Sequence, residues 1–274
     1  MSEPVPRHRS PRAGREIAQR LAARGPALVA LSGGVDSSVV AALAFDALGT
    51  SALAVTLSGP AVAVAEVERA RRVAAAIGIQ HLVVPVDPLE RTEYRENSSR
   101  RCYFCRSVET EVLRREGAPR GVRQYLDGVQ LDDLSDDRPG LRAMDEAGFD
   151  HPLVWGGWTK AQVRREARDR HLPNWDQPSD ACLASRIAHG TPVSAELLAR
   201  IEAGERWVAA RGFRRVRLRT TGTAARVEVD PLEVERLRSE PLASELRSAL
   251  AEYGFAPVEI DPRGYGHRSP GGAP

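Results

Sequence analysis

Lysine is nearly absent from these 274 residues: Lys160 is the only one, and arginine supplies almost all the positive charge. The plain explanation is the codon bias of a GC-rich genome. An excess of one charge is also lacking. The formal net charge is +2, which by itself gives no argument for a nucleic-acid partner. No apolar run approaches the ~20 residues of a membrane span, so no membrane partner is expected. The first dozen residues are rich in Pro, Arg and Ser and lack an apolar core, so no signal peptide is expected. Residues 1–12 read as a flexible tail, and so do the Gly- and Pro-rich residues 263–274. Cysteines number three. Without an export signal they point to a reducing cytoplasm, where metal or redox chemistry is a commoner use than a structural disulfide.

What is present suffices for a core. Hydrophobic residues make up 42% and charged residues 28%, in a length that suits one large domain or two modest ones. Short apolar runs at 27–31, 52–57, 81–86 and 124–129 read as buried strands. Helical stretches at 37–48, 63–77 and 107–115 alternate with them. This order predicts an α/β fold: a parallel, doubly wound sheet with helices on both faces, over residues 13–189. Thr159-Lys160 opens a charged helix through Arg170. From about Gly190 the pattern changes, and residues 190–262 read as a smaller C-terminal α+β domain. There Ser194 caps a helix over 195–210, strands at 214–220 and 224–229 pair, and helices at 233–237 and 243–253 follow.

Ser32-Gly33-Gly34-Val35-Asp36-Ser37-Ser38 joins the first strand to the first of those helices. Two glycines let the backbone approach phosphate oxygens and offer N–H donors. The helix start adds its positive dipole end. Ser32, Ser37 and Ser38 supply hydroxyls, and Asp36 suits a place near phosphates or their Mg²⁺. There is no Gly-Lys-Ser/Thr and no third glycine, so neither a Walker loop nor a dinucleotide fingerprint is present. The expected reaction is cleavage of ATP to AMP and pyrophosphate.

Cys102-Tyr103-Phe104-Cys105 and Cys182 hold every cysteine of the chain. A structural zinc would need a fourth ligand such as His189 or His81. A redox pair and a three-thiolate iron–sulfur cluster with one open iron are the other readings. Spacing alone sets zinc and cluster level, with the redox pair third.

The loop resembles those of the PP-loop, or ATP-pyrophosphatase, superfamily. The ordered set of motifs resembles the LarE family within it. The set comprises Ser32–Ser38, Arg101–Cys105, Asp127-Gly128 with Asp132-Asp133, Arg138–Ala143, Thr159-Lys160, Cys182–Arg186, Val216–Arg219 and Ala225–Val229. The resemblance implies an adenine-nucleotide alpha-hydrolase-like domain and ATP-dependent sulfur transfer. A carboxylate of pyridinium-3,5-biscarboxylic acid mononucleotide is adenylylated and becomes a thiocarboxylate, on the way to the nickel-pincer nucleotide of lactate racemase. It further implies ATP contacts at Ser32, Gly33, Gly34, Asp36, Ser37, Ser38, Thr56 and Gly128, with Asp36 and Cys182 catalytic. Substrate contacts fall at Arg186, Glu205, Arg217 and Arg219. The three-cysteine pattern resembles the branch in which Cys102, Cys105 and Cys182 hold a 4Fe-4S cluster; in another branch the residue at Cys182 gives up its own sulfur. A sulfur or sulfide donor and a homo-oligomer are implied as well.

Departures exist: Val129-Gln130, Arg106 and Thr220-Thr221 differ from the usual family residues. Independently of the family, Arg217 and Arg219 sit two apart on a strand, which sends both side chains to one face ~7 Å apart. That suits a phosphate or carboxylate, and equally a solvated strand face. Two other readings are a PP-loop tRNA thiolase, disfavoured by the near-neutral charge, and a zinc-stabilised nucleotide-binding module.

Overall fold

The computed structural model describes residues 12–135, 139–178 and 180–266. Most of both expected tails (1–11 and 267–274) and Arg138 lie outside the described residues. Among the described residues no helix is long and apolar enough to cross a membrane.

Contacts divide the chain into two compact units. The first takes the described parts of Met1–Gly59, Val64–Val86 and Cys105–Ser179; the second takes those of Pro60–Ala63, Asp87–Phe104 and Asp180–Pro274.

The first unit opens with α1 (Arg12–Arg24), a helix that the charged, Arg-rich sequence hides but that buries Ile17 and Leu21. Strand β1 (Ala27–Ala30), helix α2 (Val35–Leu48), strand β2 (Ala52–Ser58), helix α3 (Val64–Ile77) and strand β3 (Gln80–Pro85) follow as expected. Asp87 then caps a turn by accepting from Leu89 N at 2.9 Å, which ends the third strand. The short α4 (Thr92–Arg95) belongs to the second unit, and so does the start of helix α5, which spans Arg101–Gly117, six residues earlier than the expected start. Cys102 and Cys105 therefore lie within its first turns. Strand β4 (Gln124–Leu126) is shorter than expected because Asp127 Oδ1 accepts from Val129 N at 3.0 Å and turns the chain. Helices α6 (Pro139–Glu146), α7 (Pro152–Trp155) and α8 (Lys160–Asp169) complete the unit.

The four strands are all parallel, in the order β3-β2-β1-β4. Successive residues face opposite layers, as strand geometry requires. Ala27 and Val29 join Ile17, Leu43, Val73 and Val163 in one core, while Leu28 joins Val55, Leu113, Met144 and Phe149 in the other. Helices thus cover both faces. The strand order reverses between β1 and β4, and open α/β sheets take ligands at such a switch point, beyond the carboxyl ends of the strands.

The second unit places α9 (Ala195–Ala209) beside a three-stranded sheet of β5 (Val216–Thr221), β6 (Ala224–Val229) and β7 (Val258–Ile260). The Ser194 hydroxyl accepts from Leu197 N at 3.1 Å, the expected N-cap. β5 and β6 are antiparallel, and β7 pairs parallel to β6. Helices α10 (Val234–Arg238) and α11 (Leu242–Glu252) lie between the last two strands in sequence.

Candidate active site

The loop between β1 and α2 is tied down from four directions, all within the first unit. Inside it, Ser32 N donates to Ser37 Oγ at 3.2 Å, and the Ser37 and Ser38 hydroxyls donate to Gly34 O at 3.2 and 2.7 Å. From α3, Arg69 Nε donates to Gly33 O at 3.2 Å. From after α8, Asn174 Nδ2 donates to Gly33 O at 2.8 Å and to Ser38 Oγ at 2.9 Å. Gly33 has φ +80, and a Cβ there would lie 2.8 Å from Glu66 O, so both its conformation and its closeness to α3 demand glycine.

The fourth direction is the start of α8. Lys160 Nζ forms an ion pair with Asp36 Oδ2. Thr159 caps that helix in a reciprocal capping box with Gln162, and Asp132 Oδ2 accepts from Lys160 N at 2.9 Å. The other oxygen of Asp36 is buried with no partner among the described residues. Burial pushes the Asp36 carboxyl up and Lys160 pulls it down, with burial the larger effect. An orphaned carboxylate oxygen beside a lysine, at the N-terminus of a buried helix, suits the Mg²⁺ and phosphates of a nucleotide.

Gly128, just past β4, closes the opposite wall. A Cβ on it would stand 2.6 Å from Ser37 N, so any side chain there would collide with the loop backbone. Beside it Asp127 accepts from His151 Nδ1 at 2.7 Å, and His151 Nε2 meets Asp145 Oδ1 at 2.7 Å. Burial alone would lower the His151 pKa. The hydrogen bonds and charges of Asp127 and Asp145 outweigh it and hold the ring at about 9. The sequence gives no sign of this triad, because its members are 24 and 6 residues apart. Thr56 stands at the base of the loop, 2% exposed, its hydroxyl donating to Leu31 O at 2.6 Å and lying 2.8 Å from His81 Nε2. It braces β2 against β1.

The remaining expected residues belong mainly to the second unit. Cys182 is half-buried and N-caps the 3-10 turn Leu183–Arg186, whose Ser185 N returns to Cys182 O at 2.9 Å. Burial pushes its thiol up against the pull of Arg101. Arg186 forks onto Glu205 at 2.8 and 3.0 Å and also donates to Ala181 O and Cys182 O. Glu205 accepts in addition from Leu218 N at 3.0 Å. Two residues expected to meet substrate thus meet each other, and together they fasten the Cys182 turn to α9 and β5. Arg217 pairs with Asp180 at 3.0 Å and Arg219 with Glu228 at 2.6 Å. Both lie on β5, and each guanidinium has an acidic partner.

All three cysteines are free thiols. Cys105 Sγ, on the α5 segment assigned to the first unit, donates to Glu109 Oε1 at 3.2 Å, and Glu109 also binds Arg106. Among the described residues no group of three or more His, Cys, Asp and Glu side chains is gathered as a metal site. Three reduced thiols are nonetheless the donor chemistry an iron–sulfur cluster takes.

A parallel sheet flanked by helices, with a Ser-Gly-Gly-x-Asp-Ser loop at its switch point, defines the class: a PP-loop α/β protein. Residues 14–100 match the family described as asparagine synthase. An uncharacterized protein of Synechocystis sp. is 36% identical over 239 residues, covering 87% of this chain and 89% of that one. The pyridinium-3,5-bisthiocarboxylic acid mononucleotide synthase of Lactiplantibacillus plantarum is 28% identical over 238 residues, 86% of each chain. An uncharacterized protein of Methanocaldococcus jannaschii is 25% identical over 234 residues, 85% of this chain and 88% of its own. The chain belongs to the LarE family.

Proposed function

We propose that the protein is an ATP-dependent sulfurtransferase that converts a carboxylate of pyridinium-3,5-biscarboxylic acid mononucleotide into a thiocarboxylate, serving nickel-pincer nucleotide synthesis. The observation that carries this reading is the orphaned Asp36 oxygen beside Lys160 in the switch-point loop. The named Lactiplantibacillus relative supports the choice of substrate.

In the first step a substrate carboxylate oxygen attacks the α-phosphorus of ATP. An O–P bond forms, the bond to pyrophosphate breaks, and pyrophosphate leaves with the electron pair. The loop N–H groups, Ser32, Ser37 and Ser38 receive the growing negative charge on the leaving group, and Asp36 holds Mg²⁺. Gly34 and Gly128 keep side chains away from the phosphates. In the second step sulfur adds to the acyl carbon and AMP departs. Arg217 and Arg219 bind the substrate phosphate, exchanging acidic partners for it, while Arg186 and Glu205 hold the Cys182 turn in position.

For the sulfur we favour Cys102, Cys105 and Cys182 as ligands of a 4Fe-4S cluster. Such a cluster, when bound, supplies a replaceable sulfide on the iron that has no thiolate. The alternative draws the sulfur from Cys182 itself: its Cα proton is lost, its Cβ–S bond breaks, and dehydroalanine remains. Incubation with ATP, Mg²⁺ and the biscarboxylate tests the reaction. AMP, pyrophosphate and thiocarboxylate should form together, and ATP cleavage without thiocarboxylate would overturn the reading. Intact mass after turnover separates the sulfur routes: loss of the elements of H2S assigns the sulfur to Cys182. Iron and acid-labile sulfide in near-equal amounts, with no mass loss, assign it to the cluster.

A further inference from the structure

Among the described residues the second unit buries three arginines past nine-tenths: Arg101, Arg186 and Arg217, at 5%, 4% and 5% exposure. Arg186 meets Glu205 and Arg217 meets Asp180. Arg101 meets no carboxylate among the described residues. Its Nη1 donates to Asn97 Oδ1 at 2.6 Å and to Ala184 O at 2.8 Å, both neutral acceptors. A guanidinium stays charged at any pH a protein meets, and burying one without an anion costs several kcal/mol. Arg101 is thus the one of the three that no carboxylate meets among the described residues.

Its place is well defined. Ala184 lies two residues past Cys182, in the turn that Cys182 caps. Asn97 is fully buried at φ 55 and sends Nδ2 to Ala188 O and Thr191 O, both at 2.8 Å. Asn97 and Arg101 together thus grip the segment after Cys182 at three carbonyls. The grip fixes the Arg101 fork beside the thiol. The charge of Arg101 bears on Cys182, and on His189, which burial and that charge hold below its ordinary pKa. No neighbouring imidazolium is thereby added to the anion site.

We propose that Arg101 is the receptor for a substrate carboxylate set against the Cys182 sulfur. Its fork takes the anionic oxygens of the acyl group, and the same charge stabilises the oxygen of that group as sulfur adds to its carbon. The identity of the acyl group rests on the function proposed above; the anion site does not.

Iodoacetate and iodoacetamide test this, because they differ by one carboxylate. Each alkylates a thiol by forming C–S and expelling iodide, with the thiol proton released to solvent. On the full chain with its thiols free, mass spectrometry gives the two rates at Cys182. Arg101→Met should lower the iodoacetate-to-iodoacetamide ratio about tenfold, the scale of one lost nearby charge. Arg101→Lys should keep most of the preference. Pyridine-3,5-dicarboxylate should slow iodoacetate on the wild-type protein. An arginine that only holds the turn would change both rates together, and an unchanged ratio in Arg101→Met would overturn the proposal. So would failure of the dicarboxylate to protect the wild-type protein. If Arg101→Met does not fold, Arg101→Lys and wild-type protection decide. AMP release by the wild-type enzyme is scored separately, so the acyl-transfer reading can fail while the anion site stands.

Discussion

Lys160 reaches Asp36 across 124 residues of sequence and closes an ion pair at the first turn of α2. The chain's only lysine is anchored through its own backbone N–H to Asp132. Replacing it by methionine leaves a largely buried carboxylate without its cation. Lys160→Met should lose about 1.5–3 kcal/mol of stability, the scale of a charged hydrogen bond. Pyrophosphate release should fall about 100-fold or more, as for a lost transition-state donor. Lys160→Arg should restore part of the rate. Single-turnover release of pyrophosphate and urea unfolding of the same samples check both halves.

His151 makes stability depend on pH in the alkaline range. Its folded pKa of about 9 lies above the ordinary 6.5 because Asp127 and Asp145 overcome the effect of burial. The unfolded ring gives up its proton first as pH rises. The stabilisation is therefore whole below about pH 6.5 and drains away as pH climbs towards 9. The shift corresponds to about 3 kcal/mol as an upper figure. Unfolding free energies at pH 6 and pH 9.5 should differ by up to that amount in the wild-type protein. His151→Asn should flatten the difference; an equally steep profile in the variant would assign the pH dependence to other groups.

The Arg186–Glu205 fork is nearly dry, with the arginine side chain 3% exposed and the glutamate 15%. Removing one partner of such a pair typically costs about 3–5 kcal/mol, because the other charge stays buried. Arg186→Met should lose stability on that scale and free the Cys182 turn. Alkylation of Cys182 by neutral iodoacetamide should then speed up about tenfold, the effect of about 1.4 kcal/mol on local opening. Glu205→Gln keeps a hydrogen-bond acceptor and should fall between the two.

The loop and its parallel sheet are legible in the sequence because their signals are local. A strand, two glycines and an apolar helix occupy 22 consecutive residues from Ala27 to Leu48. Ser194 is legible as a cap for the same reason. Other features depend on the folded chain. β7 has three residues after Pro257 and exists only because β6 offers a free edge. The first turns of α5 carry Arg101, Cys102, Cys105 and Arg106, a run with no helical apolar stripe, so the helix start is hidden. The pairing of Arg186 with Glu205 crosses 19 residues, so the sharing of one ion pair by two expected substrate contacts is not legible. Asn97 shows nothing in sequence; its importance is in its φ of 55 and three side-chain bonds.

Asn174 holds Gly33 and Ser38 from 141 and 136 residues downstream. A growing polypeptide that has left the ribosome only as far as residue 100 contains the whole segment matching asparagine synthase. It still lacks Gly128, Lys160 and Asn174. The residues that brace the loop are therefore all present only late in synthesis, and a fragment cut to the matched segment should carry the loop's letters without its shape.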